Sequence, residues 1–97
     1  MYFKGGSIMA HVLLQFTVES YAKWKPIFDS KEDFRTQAGC LGAQIFRSGN
    51  NPLEVFCLLE WDELENARTF AASSELKKGM EEAGVTGEPN INFLHQV

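Results

Sequence analysis

Between His11 and Val18 the chain alternates, with Val12, Leu14, Phe16 and Val18 on one side and His11, Leu13, Gln15 and Thr17 on the other. This two-residue period predicts a first strand. The period then lengthens. Tyr21, Trp24, Ile27, Phe28, Phe34 and Ala38 fall on one helical stripe, Ser20 offers a cap and Gly39 a stop, so the spacing predicts a helix over 21–38. Pro26 has no N–H to give to Ala22, and the helix is expected to kink or restart near Asp29 and Ser30. Gly42 to Ser48 and Leu53 to Trp61 are β-prone runs around the turn Gly49-Asn50-Asn51-Pro52, which predicts an antiparallel hairpin. Asp62 and Glu65 open a second helix carrying Leu64, Ala67, Phe70 and Ala71. Ser73 or Ser74 caps a short further helix with Leu76, Met80 and Ala83, ended by Gly84. A loop through Gly87 and Pro89 then leads to a last strand over 90–97.

The order is β-α-β-β-α-β, an α+β chain with a four-stranded antiparallel sheet and its helices on one face. The third strand carries apolar bulk on both sides: Val55, Cys57, Leu59 and Trp61 on one, Phe56 and Leu58 on the other. Two main helices roof only one face. The other would leave Phe56, Leu58 and Leu13 in water, and a second copy of the sheet is the expected cover, so a homodimer through the sheet face is predicted.

Composition removes several classes. The net charge is −4 and the nine Lys and Arg are scattered, so no stripe tracks a phosphate backbone and no nucleic-acid partner is expected. The third strand lacks the glycine and positive charge of an RNA-recognition signature. The longest apolar run, Val55 to Leu59, is far below the ~20 residues of a spanning helix. Cys40 and Cys57 belong to no Cys-x-x-Cys pair or Cys/His cluster, so neither a metal nor another cofactor is expected, and two free thiols fit a cytoplasmic location. Residues 1–9 read as a leader or cloning scar, leaving residues 10–97 as the single domain.

The element order, together with Val18-Glu-Ser-Tyr-Ala-Lys-Trp-Lys25, Gly39-Cys-Leu-Gly42, Ile45-Phe-Arg47 and Leu59-Glu-Trp-Asp62, resembles the dimeric α+β-barrel (ferredoxin-like) superfamily over roughly Ala10 to Leu94. Within it the chain is most similar to the small antibiotic-biosynthesis monooxygenase proteins, many of unassigned activity. The resemblance implies homodimers formed by sheet-to-sheet packing, and chemistry ranging from cofactor-free oxygenation of polycyclic phenols to cyclisation. Oxygenase-like members commonly place a His in the helix after the third strand, where this chain has Thr69-Phe-Ala-Ala-Ser73. The Asn, Trp and His set of haem-degrading relatives has no match, so haem is not expected.

His95 shares a strand face with Ile91, Phe93 and Val97, and is the candidate general base if it faces an apolar pocket. Tyr21, Trp24, Phe28 and Trp61 are the candidate walls of a flat ligand slot, although aromatics at these spacings also serve simply as core. Arg47 and Glu60, on neighbouring strands, are expected to form a cross-strand ion pair. Two functions stand side by side: a cofactor-independent monooxygenase or cyclase acting on an aromatic or polyketide-like molecule, and a non-catalytic dimeric module that binds a small apolar ligand or serves structure. A cavity between helices and sheet with His95 facing into it is the feature that would favour the enzyme.

Overall fold

The fold is described from a computed structural model, which covers residues 10–97; the leader expected over residues 1–9 lies outside them. In chain order the elements are β1 (Ala10–Val18), α1 (Tyr21–Ser30), α2 (Glu32–Ala38), β2 (Cys40–Arg47), β3 (Glu54–Trp61), α3 (Leu64–Ala71), α4 (Ser74–Glu82) and β4 (Val85–His95). The strands form one antiparallel sheet in the order β2-β3-β1-β4. Each helical crossover skips one strand, which gives the ferredoxin-like α+β fold expected from the sequence.

Alternation decides the faces. Val12, Leu14, Phe16 and Val18 of β1 and Val55, Cys57, Leu59 and Trp61 of β3 are buried, and they form one core with Trp24, Ala67 and Phe70 of the helices. On the opposite face the register aligns Leu13 with Leu58 and Asn92, Gln15 with Phe56 and Asn90, and Phe56 with Phe46. These residues stay outside the core; Leu13, Phe56 and Leu58 are half-buried and Phe46 is exposed. Gln15 Nε2 donates to Glu54 Oε2 across that face at 2.7 Å.

The helix over 21–38 restarts where expected: it is two helices divided at Lys31, directly after Asp29 and Ser30. Pro26 sits inside α1 without ending it, because the Ala22 carbonyl that loses its partner lies on the exposed side, where water can reach it. Ser30 does not recap the chain: its hydroxyl donates back to Ile27 O, and the N–H of Lys31 closes on Phe28 O. α3 is capped at Glu63, while Asp62 Oδ1 accepts from the Glu63 N–H and from Asn66 Nδ2.

β4 begins at Val85, ahead of the expected 90, and runs through Gly87 and Pro89. Its register against β1 slips there, with Gln15 opposite Asn90 but Thr17 opposite Thr86. Gly87, at φ 71°, and Pro89 sit in the slipped segment, where a proline forfeits no ladder bond; β4 is also an edge strand. A second slip separates Cys40 from Gly42 in β2 and turns Leu41 outward.

A candidate ligand cavity under the helices

Trp24 is held by the stripe of α1 and points into the sheet, 3% exposed. Its ring stacks on Phe28 with centroids 4.9 Å apart and tilts against Phe16 and Tyr21. Below this stack the helices do not close on the sheet. A cavity of about 400 Å³ remains between the inner faces of β1 and β3 and the four helices. Leu14, Phe16, Cys57 and Leu59 form its floor, and Trp24, Phe28, Phe34 and Phe70 stand around it. α4 is the remaining wall. It has no fully buried residue and contributes half-buried Leu76 and Met80, with Gly79 between them leaving room beside Lys31.

Charged side chains mark the opening. Glu75, Lys78 and Glu82 of α4 and Lys31 at the α1–α2 break all line the cavity, and Lys31 Nζ pairs with Glu82 Oε1 at 3.2 Å across it. One charge lies deeper. Arg35 of α2 is 7% exposed, the one buried charged residue among those described. Its Nη1 donates to Phe28 O at 2.7 Å, and its guanidinium carbon lies 3.7 Å from the centre of the Phe28 ring. Loss of water pushes its pKa below the usual arginine value, although a guanidinium remains charged at neutral pH.

The two thiols are packed, not reactive. Cys57 is fully buried in the cavity floor, and desolvation pushes its pKa up to about 12. Cys40 is buried as well. Burial raises its pKa, and its Sγ donates to Gly42 O at 3.4 Å.

The structure brings together two of the four aromatic residues proposed for a ligand slot. Trp24 and Phe28 line the cavity; Tyr21 supports Trp24 from outside, with Arg47 over its ring at 4.2 Å, and Trp61 seals the far end of the core against Phe70. The indole N–H of Trp61 is buried without a partner among the described residues. His95 pairs with Ala10 on the helix side of the sheet, as its spacing implies, but it is exposed and does not line the cavity. The expected Arg47–Glu60 pair does not form. Arg47, beside the turn, lies opposite Val55 on the inner face, and Glu60 lies opposite Gly42 on the other face at the far end of the hairpin.

Arg35 was not singled out from the sequence, yet a signal was present. Positions 24, 28, 31, 35 and 38 continue one helical stripe, so Arg35 and Lys31 are charges on the apolar side of their helices.

A sheet roofed on one face, with an aromatic-walled cavity beneath the roof, defines a ferredoxin-like α+β protein. The sequence profile of the antibiotic biosynthesis monooxygenase family matches residues 7–82, and the chain belongs to that family. No curated protein sequence matches it. Among solved structures, it is similar to a Bordetella bronchiseptica protein described by the same family name, with a TM-score of 0.79 and 16% identity over 94% of this chain and 99% of that one. SnoaB of Streptomyces nogalater, a cofactor-independent oxygenase, superposes with a TM-score of 0.69 and 16% identity over 94% and 97% of the two chains. A conserved Methanosarcina mazei protein gives 0.70 and 17% over 90% and 91%. Identities this low establish the common fold and leave the reaction to the site itself.

Proposed function

We propose that the cavity binds one aromatic or polyketide-like small molecule, and that cofactor-independent oxygenation or cyclisation of that molecule is the reaction of the protein. The observation that carries this reading is the apolar cavity of about 400 Å³ between helices and sheet. Its size is in the range of small-molecule sites, and its stacked rings suit a planar ligand. Such chemistry needs a substrate anion in a dry enclosure where it can meet dioxygen. His95 stands outside, so the acceptors available for the substrate's proton are the carboxylates of the wall, Glu75 and Glu82.

The second reading, a non-catalytic binding module, draws on one observation. No histidine lines the cavity, and its one deeply buried ionisable cation, Arg35, cannot act as a base at neutral pH. A thermal-shift panel of polycyclic phenols and polyketide-like compounds, followed by oxygen-uptake and product assays on each binder, separates the two. A ligand at a hundredfold excess over its Kd adds about 2.7 kcal/mol, which raises the Tm by roughly 10 °C or more in a domain of this size. Binders that turn over support the enzyme, binders that do not support the module, and a panel without binders refutes both.

The reading includes a homodimer joined through the open sheet face and a cytoplasmic setting. The half-buried Leu13, Phe56 and Leu58 with exposed Phe46 support the first, and the two unpaired thiols are compatible with the second. Among the described residues, no helix is long and apolar enough to cross a membrane.

A further inference from the structure

Arg35 is a fixed cation with most of its donors unused. A guanidinium carries five N–H groups. Among the described residues the Arg35 guanidinium makes one hydrogen bond, to Phe28 O, and takes part in no ion pair. That bond and the stack on Phe28 hold the group in one orientation. Among the described residues, the only fully enclosed side-chain polar atom without a partner is the Trp61 indole nitrogen, so the free donors of Arg35 are not sealed in by those residues. Arg35 lines the cavity, and the cavity is where they can be met. The wall holds three cationic and two anionic side chains, and Lys31 and Glu82 are already paired to each other. The surplus is one positive charge, and the most buried of the five groups is Arg35.

We infer that Arg35 anchors an anionic oxygen, and that the ligand of this cavity is a planar apolar acid, its flat body among the rings and its carboxylate or phenolate on the guanidinium. The inference rests on the reading of the cavity as a ligand site. In surroundings with little water, a charge-assisted bond from a preoriented planar fork is stronger than its counterpart at the surface, and a neutral ligand of the same shape forgoes it.

The test is calorimetric titration of the intact protein with 2-naphthoate and with its neutral isostere 2-naphthalenemethanol. The wild type is expected to bind naphthoate at least about tenfold more tightly, the ratio one charge-assisted hydrogen bond supplies. Arg35→Met brings naphthoate down to the affinity of the alcohol and leaves the alcohol unchanged; Arg35→Lys, a charge without the fork, falls between. Should the Met variant fail to fold, the wild-type ratio and the Lys variant decide. 2-Naphthol tells the two oxygens apart: ionisation at a lower pH when bound shows that a phenolate is accepted, and unchanged ionisation with tight naphthoate binding assigns the site to carboxylates. Equal affinity for naphthoate and the alcohol overturns the anchor while the cavity reading stands. Binding of neither overturns both.

Discussion

Cys57 shows how a side chain can sit in a functional-looking place and remain inert. It lies in the cavity floor, but with its thiol held at a pKa of about 12 it stays protonated at neutral pH. The consequence is a pH-dependent stability. In the unfolded chain the thiol ionises near its ordinary 9.0, whereas in the fold it keeps its proton until about 12, so the unfolded state loses the proton first. The contribution is complete below pH 9 and declines as pH rises toward 12, with a slope approaching about 1.4 kcal/mol per pH unit. Urea denaturation across that window is expected to show a steeper decline in the wild type than in Cys57→Ala, where only the other shifted groups, such as Cys40, still contribute, on top of a pH-independent loss from the smaller side chain. Aromatic identity was legible at this scale, because Trp24 and Phe28 follow from helical spacing alone. The expected Arg47–Glu60 pair failed for a reason of register: counted from the turn, Arg47 falls opposite Val55 and Glu60 lies at the far end of the hairpin, on the other face.

The cavity depends on how loosely one element packs. α4 lacks a fully buried residue, and its entrance is fixed by Ser73, whose hydroxyl accepts from the Leu76 N–H at 3.1 Å and donates to Phe70 O at 2.7 Å. Ser73→Ala is expected to cost about 1 kcal/mol of stability in chemical denaturation. Hydrogen exchange should show faster opening in α4 than in β1 or β3. Element order, the hairpin and the α4 cap were readable because each rests on local chemistry: alternation, turn residues, a serine before a helical stripe. The early start of β4 was not readable. Gly87 and Pro89 signal a loop by every local rule, and only the slipped pairing with Gln15 and Thr17 lets them lie within an edge strand. The break at Lys31 was readable from Pro26, whose missing N–H weakens the helix just ahead of it.

For the molecule as a whole, the sheet presents two unlike faces. The inner face floors the cavity, and the open face carries Leu13, Phe46, Phe56 and Leu58 beside Gln15 and Asn92. The two-sided pattern of β3 announced this division in the sequence. The presence of a cavity could not be read there, because a helix that fills a core and one that stops short of it share the same spacing. Leu58→Asp places a charge at the centre of the open face; on the proposed dimer, sedimentation is expected to show a dimer for the wild type and a monomer for the variant. Ligand affinity should change by less than about threefold, since Leu58 does not line the cavity.

Mapping a bound aromatic by the amide and indole shifts of the ¹⁵N-labelled protein tests the division of labour directly. With 2-naphthoate, the largest changes are expected at the Trp24 indole and the amides of Phe28, Arg35, Leu76 and Met80, with Leu13, Phe56 and Leu58 nearly still. Changes centred on the open face, or spread evenly over both, would contradict the account.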